Sequence, residues 1–362
     1  MKSYQYLQVV WGITEDGILK LEVRKRIWRE KKMLNDSVIL VTGGTGSFGK
    51  KFLEMVFEKY NPAKVIIYSR DEFKQSVMKT DFADKVDMSK VRFFIGDVRD
   101  KERLYRAFNG VDYVVHAAAM KQVPTCEYNP MEAIKTNIHG AQNVIDAALD
   151  RGVKKVVALS TDKAVNPINL YGGTKLVSDK LFTAANAYSG VQGTTFSVVR
   201  YGNVAGSRGS VIPIFQKIIE NGGTELPITD SRMTRFWITL EQGVELVFKA
   251  LEESKGGETY ISKIPSFHIN DLAYAMLPDC KIKEIGIREG EKLHEVMVTK
   301  DDCRSTYEYD KHYIIYPNYE WWSKSKYFTP GGKLVEDEFE YNSGNNVEWL
   351  GVEDIREALK HI

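Results

Sequence analysis

Two pairs of residues with acid–base side chains lie close together in the middle of the chain. Asp162 and Lys163 follow an apolar run at residues 156–159, and Tyr171 and Lys175 follow a short loop. Residues four positions apart share one face of a helix, so the phenol of Tyr171 and the ammonium of Lys175 are expected to reach a common ligand. A neighbouring positive charge favours phenolate, so we predict that the pKa of Tyr171 lies below its usual value of about 10.

The elements that position these residues are repeated strand and helix units. Helical patterns lie between the apolar runs, as around residues 132–148. This alternation with short connections predicts an α/β fold with a Rossmann-like doubly wound parallel sheet. Because such sheets bind ligands at the carboxyl ends of their strands, both pairs are expected to face a ligand. The predicted strands are residues 38–41, 64–68, 91–95, 111–115, 156–159 and 195–199.

The second half of the chain follows a different pattern. After about residue 203, glycine and proline recur and the elements become shorter, as at Gly206, Pro213 and Pro227. This predicts a smaller mixed α/β substrate-binding lobe over the carboxyl edge of the sheet. We therefore expect a dinucleotide-binding Rossmann domain over residues 33–203. Residues 204–362 are expected to form mainly the lobe, with parts that return to the first domain.

A glycine-rich loop joins the first predicted strand to a helix. The first glycines permit a tight turn and let a pyrophosphate approach backbone N–H groups, and the last allows the helix to pack against the strand. A glycine triplet alone is a weak signal, which a simple turn also explains. Its place between a strand and a helix indicates dinucleotide binding. The loop consists of Thr42, Gly43, Gly44, Thr45, Gly46, Ser47, Phe48 and Gly49.

The end of the second strand predicts which dinucleotide binds. An acidic residue there holds the ribose 2′-hydroxyl of NAD, whereas arginine accommodates the 2′-phosphate of NADP. Arg70 and Lys74, which follow Ser69, have the helical spacing that would clamp a phosphate, although Asp71 lies between them. We predict NADP, against the alternative of a solvated turn of mixed charge. Further cofactor contacts are expected from Asp97, Val98, Ala117, Ala118 and Ala119.

The composition limits the classes of function. With 50 basic and 49 acidic side chains in 362 residues, the net charge of +1 gives no bulk electrostatic reason to expect nucleic acid or a membrane as partner. No apolar run approaches the roughly 18 residues that span a bilayer. Three unpatterned cysteines suggest reduced thiols in the cytoplasm. The six histidines have no metal-binding spacing, so we expect no metal ion.

The first 32 residues form a separate segment. Residues 21–32, LEVRKRIWREKK, are basic, with Ile27 and Trp28 as the apolar interruption. One interpretation is a helix that lies on a membrane or binds a partner. We favour an extension outside the fold, translated from a start upstream of Met33, because the apolar face is too small for firm anchoring.

Long contiguous motifs resemble those of one enzyme family. TGGTGSFG together with YGGTK is similar to the extended short-chain dehydrogenase/reductases. Within them, the chain resembles the inverting UDP-N-acetylglucosamine 4,6-dehydratases of pseudaminic acid biosynthesis, from about Met33 to residues 338–343. The segments that carry this resemblance are SRDEFKQ, FFIGDVRD, HAAAMKQVP, EYNPMEAIKTNIHGAQNV, STDKAVNPINLYGGTK, VVRYGNVAGSRGSVIPIF, ITDSRMTRFWI and IGIREGEKLHEVM.

The resemblance implies loss of water from the sugar with inversion at carbon 5. NADP+ takes hydride from carbon 4 and returns it at carbon 6, so the cofactor ends unchanged. By resemblance, Asp162 protonates the departing 6-hydroxyl and Lys163 removes the carbon 5 proton. Lys163 can be a base only if its pKa falls from about 10.4, which partial burial would promote. Tyr171 accepts the 4-hydroxyl proton or reprotonates carbon 5, and Lys175 holds the nicotinamide ribose.

Substrate contacts are expected mainly in the second half of the chain. Thr161 could hydrogen-bond the sugar, and Asn203 and Val204, after the sixth strand, are expected to meet the sugar or its diphosphate. Lys121 either reaches the cofactor or substrate or is a solvated loop lysine. Guanidinium forks match phosphate, although a surface ion pair is the commoner role for an arginine. The candidates are Arg208, Arg235 and Arg288, of which the resemblance favours Arg288 most.

Other functions remain open at the level of sequence. Retaining dehydratases often carry Asp-Glu where this chain has Asp162-Lys163, and a retaining 4,6-dehydratase or a UDP-sugar 4-epimerase is the near alternative. A non-catalytic NADP-binding regulator is an alternative of another class, but it would be expected to have lost the Tyr171–Lys175 pair. The resemblance further implies a homo-oligomer, from dimer to hexamer.

Overall fold

A computed structural model describes residues 8–13, 19–24, 33–190, 193–206 and 210–361 of the chain. The strands are β1 (Gln8–Ile13), β2 (Leu19–Arg24), β3 (Val38–Thr42), β4 (Lys64–Ser69), β5 (Val91–Ile95), β6 (Tyr113–His116), β7 (Lys155–Thr161), β8 (Thr195–Tyr201), β9 (Glu225–Ile228), β10 (Thr234–Phe236), β11 (Thr259–Ser262), β12 (Ser266–His268), β13 (Lys281–Glu284), β14 (Val296–Val298), β15 (Thr306–Glu308), β16 (His312–Ile315), β17 (Lys333–Leu334) and β18 (Tyr341–Asn342). The helices are α1 (Ser47–Lys59), α2 (Glu72–Asp81), α3 (Lys101–Ala107), α4 (Val123–Tyr128), α5 (Pro130–Ile134), α6 (Gly140–Asp150), α7 (Leu170–Ala185), α8 (Val211–Glu220), α9 (Leu240–Glu253), α10 (Ile269–Met276), α11 (Lys324–Tyr327) and α12 (Val352–Leu359). A π-helical turn at Lys135–His139 joins α5 to α6, and 3₁₀ turns lie at Met88–Lys90, Asp162–Ala164 and Asp302–Ser305.

A ten-stranded sheet forms the centre of the described chain. Its order is β17-β15-β16-β11-β8-β7-β6-β3-β4-β5, and the strands from β11 to β5 in that order are parallel. The order reverses at β3, which pairs with β4 on one side and β6 on the other, so a crevice opens at its carboxyl end. All six predicted strands are present, which confirms the doubly wound parallel sheet. The fourth begins at Tyr113 instead of Val111, because Val111 N–H donates to Phe108 in the turn after α3.

Apolar side chains on both faces of the sheet hold it between helices. Successive residues of a strand point to opposite faces. Ile39 and Val41 pack in the cluster that contains Phe52 of α1, whereas Leu40 packs in the cluster that contains Val144 of α6. Helices α1 and α9 accordingly contact each other on one face, and α3 and α6 contact each other on the other. Both faces are covered, as the nearly continuous apolar runs predict.

The second half of the chain divides between the central sheet and a smaller layer. β11 pairs parallel with β8, and β16, β15 and β17 continue the sheet in antiparallel order. The pairs β9–β13 and β10–β12 pack with α8, α10 and α12 around Phe215, Trp237, Leu272 and Ile355. This mixed α/β layer contributes Phe215 and Trp237 to a cavity at the carboxyl edge of the sheet. The domain boundary near residue 203 remains a prediction.

The N-terminal segment is described only in part. β1 and β2 pair antiparallel with each other in a two-stranded sheet separate from the central one. Residues 21–24 therefore lie in a strand, and the rest of the basic stretch at residues 21–32 lies outside the described residues. An extension outside the fold remains a prediction. Across the described ranges, no helix has the length and apolar character needed to cross a bilayer.

Candidate active site

A cavity of about 720 Å³ runs along the carboxyl edge of the central sheet and under the smaller layer. Most of the predicted site residues lie in its wall. They are Gly43, Thr45, Gly46, Ser47, Phe48, Ser69, Arg70, Lys74, Asp97, Val98, Ala117, Ala118, Ala119, Lys121, Thr161, Lys163, Tyr171, Lys175, Asn203, Val204, Arg235 and Arg288. Thr42, Gly44, Gly49 and Asp162 lie behind this wall, and Arg208 lies outside the described residues.

The glycine loop has the close backbone contacts that a phosphate cradle needs. Gly43 has φ +65°, and a Cβ there would lie 2.9 Å from the Cα of Ala118. A Cβ at Gly49 would lie 2.2 Å from the carbonyl oxygen of Gly44. Gly49 thus lets the helix approach the loop itself, whereas the sequence predicted that it permits packing against the strand. The N-cap residue of α1 is Gly46, which has no side chain to occupy the first-turn N–H groups.

Thr42 supports the loop from behind and does not line the cavity. Its Oγ1 is 2.8 Å from Nδ1 of His116 and accepts hydrogen bonds from the N–H groups of Ala117 and Ala118. Burial lowers the pKa of His116 to about 3, so this imidazole is neutral. His116 is therefore a structural residue at the end of β6.

The end of β4 presents two cations to the cavity. Arg70 and Lys74 both line it, with Arg70 Nη1 3.6 Å from Asp97 Oδ2 and Lys74 Nζ 2.9 Å from Asp71 Oδ2. Asp71 accepts the N–H of Lys74 at 2.9 Å and so caps α2. Ser69 accepts a hydrogen bond from the Gln75 amide at 3.0 Å. The acidic residue in this turn therefore acts as a helix cap.

The turn after β7 brings the predicted acid and base together. Asp162 and Lys163 begin a 3₁₀ turn, and Lys163 Nζ donates to Asp162 Oδ1 at 3.1 Å. Thr161 Oγ1 donates to the same carboxylate oxygen at 2.8 Å. Lys163 Nζ also donates to Oδ1 of Asn203, beyond the end of β8, at 3.1 Å. Thr161 thus contacts Asp162, and its predicted contact with a sugar remains a prediction.

A second carboxylate, Glu295, completes this group, and the sequence did not single it out. Its Oε1 lies 3.2 Å from Lys163 Nζ and 3.8 Å from Arg235 Nε. Arg235 also donates to the carbonyls of Thr234 and Leu293, at 2.7 and 3.1 Å, and to Sδ of Met233 at 3.4 Å. Arg235 therefore lines the cavity while its guanidinium holds the backbone that carries Glu295. The motif IGIREGEKLHEVM contains Glu295, but nothing in its spacing distinguishes this carboxylate from its neighbours.

The pKa values in this group differ from the sequence-based expectation. Burial would lower the pKa of Lys163, but the carboxylates of Asp162 and Glu295 outweigh burial and raise it. The prediction that the pKa of Lys163 falls is therefore wrong while both carboxylates are charged. Burial, and then the charge of Glu295, raise the pKa of Asp162. A raised pKa suits the predicted role of Asp162 as a proton donor.

Tyr171 and Lys175 lie on the first turns of α7, which Asn169 caps by accepting the N–H of Gly172 at 2.7 Å. Both side chains are buried and line the cavity. Burial raises the pKa of Tyr171 to about 12, and the nearby charge of Lys163 opposes this only in part. The predicted lowering of this pKa is thus wrong, because loss of water contact outweighs the effect of the Lys163 cation. Burial also lowers the pKa of Lys175.

The remaining predicted substrate residues occupy different parts of the wall. Lys121 lines the cavity, and its pKa is lowered by loss of water contact and then by the charge of Lys163, but its side chain remains exposed, so its contact with a cofactor or substrate remains a prediction. Val204 forms a β-bridge with Ile238. Arg288 lines the cavity with a mostly exposed side chain, and its Nη1 lies 3.9 Å from Glu291 Oε1, so its contact with an anion remains a prediction.

Asn137 holds the loop that carries Lys121. Its side chain accepts the N–H of Met120 at 2.8 Å and donates to the Met120 carbonyl at 2.9 Å. It also donates to Thr174 Oγ1 of α7 at 3.0 Å. These contacts give Asn137 a structural role, because they tie the loop after β6 to the helix that carries Tyr171.

Comparison with known proteins identifies relatives over nearly the whole chain. The family described as polysaccharide biosynthesis protein matches residues 39–317. A protein of Campylobacter jejuni subsp. jejuni serotype O:2, named UDP-N-acetylglucosamine 4,6-dehydratase (inverting), is 56% identical over 91% of this chain and 99% of its own length. A Rickettsia canadensis protein named UDP-glucose 4-epimerase is 43% identical over 90% of this chain and 96% of its own.

Solved structures have the same fold. The structure of Pen from Bacillus thuringiensis is 39% identical and superposes with a TM-score of 0.82, over 91% of this chain and 98% of that one. The dTDP-glucose 4,6-dehydratase DesIV of Streptomyces venezuelae, with NAD and TYD bound, gives a TM-score of 0.61 at 24% identity, over 71% and 86% of the two chains. The second likeness supports the fold alone.

Gly172 is a further residue that the site requires and that sequence reasoning missed. A Cβ at Gly172 would lie 2.1 Å from the carbonyl oxygen of Lys163, whereas a Cβ at Gly173 would meet nothing within 4 Å. We expect Gly172→Ala to push α7 away from the Asp162–Lys163 turn and to lower the free energy of unfolding by about 1–3 kcal/mol. Denaturant unfolding would measure this. Gly173→Ala is the matched control, and equal stabilities of the two variants would contradict the close contact.

Proposed function

Since the chain belongs to the polysaccharide biosynthesis protein family, with the fold of the extended short-chain dehydrogenase/reductases, we propose that it is an NADP-dependent inverting 4,6-dehydratase of UDP-N-acetylglucosamine. The product would be UDP-2-acetamido-2,6-dideoxy-β-L-arabino-hex-4-ulose. The observation that carries the proposal is the hydrogen bond from Lys163, which lines the cavity together with Tyr171 and Lys175, to the buried Asp162 behind the cavity wall. The 56% identity to a relative of that name supports the same substrate.

The cavity has the features that a dinucleotide needs. Gly43 takes a positive φ and packs against Ala118 too closely for a side chain, the first turn of α1 lines the cavity, and Lys175 and Tyr171 line it as well. A bound nicotinamide supplies a reversible hydride acceptor, which allows oxidation at carbon 4 of the sugar and reduction at carbon 6. Lys175 would hold the nicotinamide ribose.

The proton transfers can be assigned to three side chains. Transfer of one proton from Lys163 to Asp162, along their 3.1 Å hydrogen bond, leaves a neutral amine and a neutral carboxylic acid. The Lys163 amine then removes the carbon 5 proton, which the carbon 4 ketone has made acidic, and Asp162 protonates the departing 6-hydroxyl. Tyr171 takes up the 4-hydroxyl proton, and its return to carbon 5 closes the proton balance. The pair is then an ammonium and a carboxylate again.

Two further aspects of the proposal concern the setting of the enzyme. We propose a homo-oligomer, from dimer to hexamer, and a place early in the synthesis of pseudaminic acid or related surface sugars, both from the family resemblance. A cytoplasmic location agrees with the three cysteines, Cys126, Cys280 and Cys303, which are all buried and free. The predicted absence of a metal ion is consistent with a reaction whose acid and base are side chains.

An epimerase is the second candidate, because the Rickettsia relatives named UDP-glucose 4-epimerase are 42–43% identical. Epimerisation at carbon 4 needs hydride transfer but no proton donor for a departing hydroxyl. The buried Asp162 with its raised pKa therefore favours dehydration. A regulator without catalysis is disfavoured, because the Tyr171–Lys175 pair is present in the cavity.

Product analysis in heavy water distinguishes these candidates. With UDP-N-acetylglucosamine and NADP+, we expect loss of one water, one solvent deuteron at carbon 5 and inversion there, read by mass spectrometry and proton NMR. Lys163→Ala should abolish the reaction while cofactor binding persists, because only the base at carbon 5 is removed. An unchanged mass would favour the epimerase, and deuterium at a carbon 5 of retained configuration would favour a retaining enzyme.

The preference for NADP depends on the cations at the end of β4. Arg70 and Lys74 line the cavity, and we expect Arg70→Ala to weaken NADP+ binding about tenfold or more through loss of charged hydrogen bonds to the 2′-phosphate. NAD+ binding should change less than about threefold. Titration calorimetry with both dinucleotides measures this difference. The control is Arg92→Ala, because Arg92 lies at the amino end of β5, away from the edge of the sheet that lines the cavity. Equal losses of affinity for NAD+ and NADP+ in Arg70→Ala would reject the 2′-phosphate contact.

The oligomeric state can be measured directly. Light scattering of the full chain and of residues 33–362 is expected to give the same assembly, larger than a monomer, because the N-terminal segment is predicted to lie outside the fold. A monomer in both cases would contradict the proposed homo-oligomer. A change of assembly on truncation would show that residues 1–32 contribute to it.

A further inference from the structure

We propose that Glu295 is a positioning residue of this active site, whose carboxylate holds the Lys163 ammonium against Asp162 and keeps Asp162, and not itself, as the proton donor. The inference rests on the proposed dehydratase function, because the roles of Asp162 and Lys163 come from it. Glu295 acts through these two residues and is not assigned a contact with the sugar.

The geometry places one ammonium between two carboxylates. Lys163 Nζ lies 3.1 Å from Asp162 Oδ1 and 3.2 Å from Glu295 Oε1, and its third acceptor is Asn203 Oδ1 at 3.1 Å. A lysine ammonium has three donors, and all three are thus directed. The amine therefore cannot rotate away from Asp162 without losing a contact. Without the Glu295 carboxylate, one of the three N–H groups of Lys163 would have no acceptor to fix its direction.

Glu295 is itself fixed by the second half of the chain. Its N–H donates to Ser343 Oγ at 2.9 Å, and the N–H of Ser343 donates to the Glu295 carbonyl at 2.8 Å. Ser343 Oγ in turn donates to the carbonyl of Thr234 at 3.1 Å. The segment before Glu295 is tied to the start of α7, because the side chain of Asn169, the N-cap residue of that helix, donates to the Gly290 carbonyl at 2.8 Å. The carboxylate is thus held in place before any ligand binds.

Both carboxylates keep one oxygen without a protein hydrogen bond. Oδ2 of Asp162 and Oε2 of Glu295 are buried and have no partner among the described residues, and Glu295 lines the cavity. An unpaired buried acceptor is costly, so such atoms are usually explained by a functional role. At Asp162 the free oxygen is available to carry the proton for the departing hydroxyl. At Glu295 the adjacent cations keep the group charged.

The surrounding charges divide the two carboxylates into different roles. Burial would raise the pKa of Glu295, but Lys163, then Arg235 and Lys292, outweigh it, so the pKa is lowered and Glu295 stays ionised. The pKa of Asp162 is raised, first by burial and then by the charge of Glu295. Carboxylates whose surroundings push their pKa values apart typically serve as different partners in one reaction. The other titratable groups that face the cluster are Tyr171 and Lys121.

Glu295→Gln tests this role, because it removes the charge and keeps the shape. The charge of Glu295 raises the pKa of both Asp162 and Lys163, so its loss should lower both. The acid limb of the kcat profile should then move to lower pH by about one unit, and the base limb, which in the native protein lies above the usual lysine range, should come closer to pH 10. We expect kcat to fall about tenfold or more with KM for UDP-N-acetylglucosamine changed less than about threefold. Steady-state kinetics from pH 5 to about 10 measures both.

Two matched variants separate charge from structure. Glu308→Gln removes one negative charge at the Lys263 ion pair, away from the cavity, and should leave the pH profile unchanged. Glu295→Asp keeps the charge but withdraws the carboxylate, so kcat should fall while the pH optimum stays close to that of the native protein. A lower kcat for Glu295→Gln with an unmoved pH profile would overturn the proposal, since it would indicate a merely structural role.

A chemical measurement tests the contact without turnover. Only the neutral amine reacts with acetic anhydride, so the acetylation rate of Lys163, followed by mass spectrometry at pH 8, reports its free-amine fraction. We expect Glu295→Gln to raise this rate about threefold or more, and Glu308→Gln to leave it unchanged. An unchanged rate would overturn the role of Glu295. Failure of the native protein to dehydrate the substrate would instead reject the proposed function.

Discussion

The Lys163 ammonium, held by two buried carboxylates and one amide, is the interaction on which the rest of the site depends. A buried charge is costly unless its hydrogen bonds are satisfied and its charge is balanced. The three acceptors are Asp162 after β7, Asn203 after β8 and Glu295 before β14. Because these come from separate parts of the chain, the central sheet and the second half must both be folded before the lysine is stable in this position.

The parallel sheet explains how distant residues reach one cavity. Adjacent parallel strands end at the same edge, so the glycine loop after β3, the cations after β4 and the acid–base pair after β7 all face the crevice at the point where the strand order reverses. Two contacts then set how closely the layers approach. Gly43 passes against Ala118, and Gly172 passes against the carbonyl of Lys163, at distances that exclude a side chain. The Asp162–Lys163 turn is thus held between the end of β7 and helix α7.

The parts of this structure that a local pattern encodes could be predicted from the sequence. The apolar runs, the glycine loop and the Asp162–Lys163 and Tyr171–Lys175 pairs each lie within a few consecutive residues, and the structure places them at the predicted edge. Glu295 could not be found in this way. Several carboxylates and lysines lie near it, and Glu295 is buried just before β14, which pairs with the distant β18. The same holds for charge states. Burial reverses the expected pKa shift of Tyr171, and the carboxylates of Asp162 and Glu295 reverse that of Lys163 against the effect of burial.

The coupling between Tyr171 and the Lys163–Asp162 pair implies an order for the proposed steps. The charge of Lys163 is the largest influence that lowers the pKa of Tyr171, against burial, while the charge of Asp162 raises it. Phenolate is therefore favoured while Lys163 is an ammonium, and it is disfavoured once the proton has passed to Asp162 and both charges are gone. Tyr171 would then accept the 4-hydroxyl proton before Lys163 becomes a free amine. The chemistry needs the same order, since carbon 5 is acidic only after carbon 4 has become a ketone. The electrostatics of the site thus oppose early deprotonation of carbon 5.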